Sequence, residues 1–103
     1  MRIHADFEDK ILYIRLCGEL DEHNASRARL EADRLAEDFA PRSEKAVFDL
    51  KEVSFMDSTG IGFLIGRFKL CKRYGIYAYV RCVNPTTDKI LSVSGVYSLL
   101  PRI

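Results

Sequence analysis

The sequence lacks most of the patterns by which metal sites, secreted proteins and membrane segments are recognised. Its three cysteines, Cys17, Cys71 and Cys82, are widely spaced and form no C-x-x-C or Cys/His cluster. That spacing excludes the usual zinc patterns and favours reduced, mostly buried thiols in a cytosolic protein. No window approaches the roughly 18 apolar residues that a membrane span needs, and residues 1–6 contain no apolar signal region. We therefore expect a cytoplasmic protein without a metal or another cofactor.

Histidine is also scarce, and the catalytic motifs that depend on it are missing. His4 falls in a predicted strand and His23 at a predicted helix start, and no G-x-S-x-G elbow is present, so nothing supports a Ser/His/Asp hydrolase. Gly60, Gly62 and Gly66 only loosely resemble a dinucleotide loop, and no phosphate-binding lysine follows them in a G-x-x-x-x-G-K-[ST] pattern. A small nucleotide-hydrolysing domain stays open as the enzymatic alternative. More simply, Gly62 and Gly66 let a helix approach the sheet or a partner closely.

The chain also lacks a charge excess of either sign. Its 103 residues are 48% apolar, enough for one domain over residues 1–103, and 16 bases against 15 acids leave a net charge of +1. Such a balance predicts neither nucleic-acid binding nor membrane binding. The charges are unevenly distributed, however, because residues 1–57 carry −5 and residues 58–103 carry +6. The sign changes between Asp57 and Ser58.

Hydrophobic periodicity predicts a mixed α/β domain. Stretches that alternate or are rich in β-branched residues predict strands, and apolar residues at helical spacing predict helices. The predicted strands are residues 3–7, 11–17, 46–50, 76–83 and 96–100, and a loop covers residues 51–57. A first helix begins at the Asn24 cap and ends before Pro41, and a second begins at Asp57 or Ser58 and ends at Gly75. Residues 84–87 lead into a third helix over residues 88–94, which Gly95 stops. The order ββαβαβαβ implies an opening hairpin, a mixed sheet with a parallel centre and helices packed on one main face.

The residues Asp57, Ser58 and Thr59 stand where the second helix is predicted to begin. Aspartate and serine are preferred N-caps, so the three residues could simply be a capping cluster. The N-terminus of a helix also favours an anion, and a hydroxyl there can be modified without disturbing a core. The local pattern leaves both interpretations open. Four bases follow on the second helix, mostly on its predicted solvent side, where they could engage an acidic partner: Arg67, Lys69, Lys72 and Arg73.

Five segments resemble, in order and spacing, the STAS domains of anti-sigma factor antagonists, which act in bacterial sporulation and stress signalling. They are GELD at 18–21, VFDL at 47–50, FMDSTGIG at 55–62, GRFK at 66–69 and SVSGV at 92–96. The resemblance covers nearly the whole chain and implies a single STAS domain over residues 1–103. Relatives usually carry a further helix after the last strand, and residues 101–103 leave no room for it, so that helix is expected to be missing.

The resemblance implies a regulatory binding module that is not an enzyme. In that family the serine that matches Ser58 is phosphorylated by the partner anti-sigma factor, an ATP-dependent serine kinase, and a serine/threonine phosphatase removes the phosphate. The unphosphorylated antagonist binds the kinase and frees the sigma factor for transcription, and the phosphorylated form does not bind. Asp21 matches an acid beside the phosphorylation site, and Asp57, Thr59 and Gly60 adjoin the serine.

Several partner contacts follow from this resemblance as expectations. The candidates are Phe55 and Met56 in the loop, and Ile61, Gly62, Phe63 and Arg67 on an exposed edge of the second helix. We expect a monomer or a weak dimer. The alternative within the same fold is a STAS-type accessory subunit of a transporter ATPase or of a larger stress-signalling assembly, in which the serine loop docks without being phosphorylated.

Overall fold

Strands and helices alternate along the structure, a computed structural model that describes residues 1–81 and 83–103. The strands are β1 (Arg2–Glu8), β2 (Ile11–Leu20), β3 (Lys45–Met56) and β4 (Tyr77–Arg81). The helices are α1 (Glu22–Phe39), α2 (Ser58–Arg73) and α3 (Pro85–Ser94), with short 3₁₀ helices at Ala40–Arg42 and Val96–Ser98. None of the helices in these two ranges is long and apolar enough to cross a membrane.

The strands form one mixed sheet in the order β1-β2-β3-β4. β1 pairs antiparallel with β2, and β2, β3 and β4 are parallel. Asp9 and Lys10 join the opening hairpin with φ angles of 52° and 65°, as a tight two-residue hairpin turn requires. The predicted hairpin and parallel centre are therefore confirmed.

One face of the sheet is covered by α1 and α2. Leu12, Ile14 and Leu16 of β2 alternate with more exposed neighbours and are almost completely buried on this face. Phe7 of β1 stacks on Phe39 of α1 with the ring centroids 5.3 Å apart. The alanines on the inner face of α1 are buried and let the helix lie close to the sheet: Ala28, Ala32 and Ala36. These alanines recur at helical spacing in the sequence, and the structure buries all three.

The opposite face of the sheet carries a cross-strand charge ladder. Asp49 of β3 is paired in register with Arg15 of β2 and with Arg81 of β4. It is only 3% exposed, and its carboxylate lies 3.7 Å from the Arg15 guanidinium and 3.3 Å from that of Arg81. It also accepts a hydrogen bond from the Lys51 N–H at 3.0 Å. The buried carboxylate is thus satisfied on three sides.

Two predicted elements are wrong. The predicted loop is wrong for residues 51–56, because β2 extends to Leu20 and supplies pairing partners that carry β3 on to Met56. Residues 96–100 do not form a fifth strand. Gly95 turns the chain with a φ of 82°, and Val96–Ser98 then close a 3₁₀ helix. The end of the chain pairs with β4 through an isolated bridge, between Val80 and Arg102. The observed order is therefore ββαβαβα.

Smaller corrections concern where elements begin and end. α1 begins at the Asp21 cap rather than at Asn24, and α3 begins at Pro85, directly after the Asn84 cap. The fourth strand is shorter than predicted and ends at Arg81; Cys82 lies outside the described residues. The predicted helix ends at Gly75 and Gly95 are confirmed, since both take left-handed φ angles, 72° and 82°.

Candidate functional site

The carboxyl ends of β2 and β3 carry two aspartates in equivalent positions. Leu20 and Met56, the last residues of these parallel strands, are paired in register. Asp21 and Asp57 follow them directly, so the two carboxylates leave the sheet side by side. Sequence alone places these residues 36 positions apart. They line one open depression together with Glu22, His23 and Phe55.

Each aspartate is the N-cap of the helix that follows it. The Asp21 carboxylate accepts a hydrogen bond from the Asn24 N–H at 3.0 Å, and that of Asp57 accepts one from the Thr59 N–H at 2.9 Å. Both caps have extended backbones, as N-caps do. Because Asp57 caps α2, the neighbouring hydroxyl of Ser58 is not needed for capping.

Ser58 is the first residue of α2, and its side chain is exposed. Within the described ranges its hydroxyl enters none of the side-chain hydrogen bonds. The N–H groups and the dipole at this end of the helix favour negative charge. The hydroxyl is therefore accessible to a modifying enzyme, and the backbone beneath it can accommodate an anion.

Gly60 lets the start of α2 approach the strand ends. A Cβ at this position would overlap the Met56 side chain and lie 2.9 Å from the carbonyl oxygen of Leu20. By contrast, nothing lies within 4 Å of a Cβ added at Gly62 or Gly66. The expectation that these two glycines let the helix approach the sheet or a partner is therefore wrong for the sheet, where Gly60 takes that role. The approach to a partner stays a prediction. Gly62 and Gly66 instead leave open space beside α2.

Comparison with known proteins agrees with this architecture. The profile of the STAS domain family matches residues 2–103. Over 101 residues the chain is 34% identical to the anti-sigma F factor antagonist of Paenibacillus polymyxa, and the alignment covers 98% of this chain and 85% of that protein. This chain belongs to the STAS domain family of anti-sigma factor antagonists.

Two solved structures of SpoIIAA share the fold of this STAS domain. The anti-sigma factor antagonist SpoIIAA in its unphosphorylated form superposes with a TM-score of 0.79 at 22% identity, covering 99% of this chain and 88% of that one. The Bacillus cell fate determinant SpoIIAA in the phosphorylated form gives a TM-score of 0.70 at 23% identity, covering 99% and 91%.

The STAS domain places its predicted partner contacts at very different depths. Phe55 is 50% exposed, whereas the next residue, Met56, is buried, because adjacent strand residues point to opposite faces. On α2, Gly62 is exposed and Ile61 is half-buried. Phe63 and Arg67 are buried, so the expected exposed edge of the helix is wrong for these two residues.

An ion pair that the sequence analysis missed joins α1 to α2 of the STAS domain. Arg67 is only 6% exposed; its Nε lies 2.6 Å from Oδ1 of Asp33, and its Nη2 donates to Oδ2 at 3.4 Å. The guanidinium also lies over the Phe63 ring, 5.0 Å from its centroid. Burial lowers the pKa of Arg67, and the Asp33 carboxylate opposes that shift. Helical spacing could have revealed this position, since Arg67 falls on the buried stripe of α2: Gly60, Phe63, Leu64, Leu70 and Cys71.

The STAS domain buries one of its cysteines on the same stripe. Burial raises the pKa of the Cys71 thiol to about 11, and the nearby Arg67 charge only partly opposes that shift. Cys71 and Cys17 are both free, and Cys17 is half-buried. The predicted burial is confirmed for Cys71, and its reduced state stays a prediction.

Proposed function

We propose that this STAS domain is an anti-sigma factor antagonist that is switched by phosphorylation of Ser58. Unphosphorylated, it binds an anti-sigma factor serine kinase in the bacterial cytoplasm and thereby releases the sigma factor. The bound kinase phosphorylates Ser58 and the complex separates, after which a serine/threonine phosphatase resets the switch. The domain itself catalyses no step. The relationship to the Paenibacillus polymyxa antagonist supports this assignment.

The observation that carries the proposal is the exposed Ser58 hydroxyl at the start of α2, beside an aspartate that already performs the capping. A kinase needs a hydroxyl that can reach its phosphate donor. An inert capping serine would instead use its own side chain to cap the helix.

The charge around Ser58 explains how a phosphate would act. A phosphate adds about −1.5 to −2 charge at neutral pH. The site already carries the carboxylates of Asp57, Asp21 and Glu22, which line the adjacent depression. A partner surface that accommodates a neutral hydroxyl there would have to desolvate several negative charges together. The helix N-terminus tolerates the phosphate within the domain, so binding is lost without unfolding.

Phosphorylation is tested first. The domain is incubated with ATP and the anti-sigma factor kinase encoded in the same genome, and the modified residue is mapped by mass spectrometry. We expect one phosphate, on Ser58, and none on the Ser58→Ala variant. Ser54→Ala is the matched control, because Ser54 is also exposed and lies four residues earlier at the end of β3; it should be phosphorylated like the wild type. A phosphate at another residue, or no phosphate, overturns the proposal.

Binding is tested next by calorimetry with the same kinase. Ser58→Ala should bind within about threefold of the wild type because it stays neutral, whereas Ser58→Asp should bind at least about tenfold more weakly, a difference of about 1.4 kcal/mol. Equal affinities for the two variants would contradict the charge mechanism. Circular dichroism of both variants should match that of the wild type.

A further inference from the structure

A groove between α1 and α2 begins beside Ser58. It encloses about 730 Å³ and is lined at this end by Thr59. Asp57, on the other side of Ser58 in the chain, lines the acidic depression instead. The serine is thus flanked by residues that belong to two different surfaces.

The groove is strongly basic. Four bases and one acid line it, leaving a net charge of +3. The acid, Asp33, is engaged by Arg67 at 2.6 Å and lies 3.9 Å from Nε of Arg29. Lys69 and Arg73 are exposed, and neither takes part in an ion pair with any residue in the described ranges. These two cations are available to a ligand.

Arg67 adds a buried donor at the same groove. Its Nη1 is buried and has no hydrogen-bond acceptor among the residues that the structure describes. Leaving such a group unsatisfied costs about 1–3 kcal/mol. A carboxylate is the acceptor that fits a guanidinium best, because it can take two parallel N–H donors.

The shape of the groove suits a polypeptide segment. Gly62 and Gly66 lie one helical turn apart on its wall, and no atom lies within 4 Å of the position that a Cβ would take on either. The backbone of α2 is therefore uncovered along this line, and another chain can approach it closely. From Thr59 to Arg73 the groove follows the helix for roughly 21 Å, about the length of six extended residues.

We propose that this groove receives an acidic segment of the partner protein, whose carboxylates bind Lys69, Arg73 and the buried Arg67. The inference rests on the proposed function, since the partner is the kinase that acts on Ser58. Docking of an acidic segment in the groove would also give the phosphate on Ser58 a second way to weaken binding. A phosphate on Ser58 would lie at the end of the groove, where it repels an acidic segment.

The test measures the affinity of the kinase for charge-reversed domains. Lys69→Glu with Arg73→Glu changes the groove, and Lys72→Glu with Lys10→Glu is the matched control. Lys72 lies on the same helix but lines a different depression, and Lys10 lies in the β1–β2 turn at the far end of the sheet. At about 50 mM salt the groove variant should bind at least about tenfold more weakly, and the control within about threefold. The difference in affinity between the groove variant and the control should shrink at about 500 mM salt.

A second variant tests the shape without changing the charge. Gly62→Ala with Gly66→Ala narrows the groove while favouring the helix, so the domain should be more stable and yet bind the kinase about tenfold more weakly. Both results together support the docking of an acidic segment.

Three outcomes overturn the inference. If the groove and control variants weaken binding equally, net charge rather than the groove is responsible. If neither charge reversal nor the added methyl groups change the affinity while Ser58 is still phosphorylated, the groove is not used and the proposed function stands. If the kinase neither binds nor phosphorylates the wild type, the proposed function fails and the groove assignment fails with it.

Discussion

Replacing Gly60 with alanine should destabilise the domain, although alanine is the better helix former. The added Cβ would overlap the Met56 side chain, which can move, and would lie 2.9 Å from the Leu20 carbonyl oxygen, which is held in the sheet. Forcing a methyl group into such a contact typically costs about 1–3 kcal/mol. The alanine recovers up to about 1 kcal/mol of helix propensity. The expected net loss is centred on about 1 kcal/mol in the free energy of unfolding.

Gly62→Ala is the matched control on the same helix. Nothing lies within 4 Å of its added Cβ, and the position is exposed. The substitution should therefore stabilise the domain by about 0.4–1 kcal/mol. The two variants make the same chemical change two residues apart and should shift stability in opposite directions.

Urea unfolding, followed by circular dichroism, measures the stability of both variants. The urea midpoints are compared, provided that the slope of the unfolding free energy against urea concentration is unchanged. In thermal unfolding of a domain of this size, the Gly60→Ala melting temperature should fall by about 4–8 °C. A Gly60→Ala midpoint equal to or above that of the wild type would refute the close approach of α2 to the strand ends. A Gly62→Ala variant that is destabilised as much as Gly60→Ala would also refute it.

Three further predictions concern buried or partly buried side chains. Asp33→Ala removes the partner of the buried Arg67, and since Asp33 is a quarter exposed we expect a loss of about 2–3 kcal/mol in the free energy of urea unfolding. Arg67→Met should cost less, because the Asp33 carboxylate that it leaves is partly exposed and has Arg29 nearby. Burial and a hydrogen bond to Asp88 raise the pKa of Tyr97 to about 12 from 10. The folded state therefore holds the phenol proton more tightly than the unfolded state, and this contribution to folding stability is complete below pH 10 and is lost as the pH rises to about 12. The stability difference between the wild type and Tyr97→Phe should accordingly be about 1 kcal/mol at pH 7 and should shrink in thermal unfolding above pH 10. Cys71, with a pKa of about 11, should resist Ellman's reagent at pH 8 until urea unfolds the domain, and rapid native labelling at this residue would contradict its burial.

Local patterns in the sequence were sufficient for most of the elements. The opening hairpin, the inner face of α1 and the start of α2 follow from alternation, helical spacing and cap preferences, which act over a few residues. The same patterns were misleading where contacts between residues distant in the chain determine the secondary structure. Residues 51–56 are strand because β2 offers them partners, and residues 96–98 curl into a 3₁₀ helix after Gly95 although they are apolar enough for a strand.

The sequence by itself determined where the candidate switch residue lies: Ser58 follows an aspartate at the start of a helix, and the sign of the charge changes at that bond. Only the tertiary structure decided what surrounds it. The parallel pairing of Leu20 with Met56 brings Asp21 beside Asp57, and the packing of α1 against α2 collects the bases of both helices along one groove. These neighbours are far apart in the chain, and no local preference specifies strand register or helix packing, so only folding brings them together.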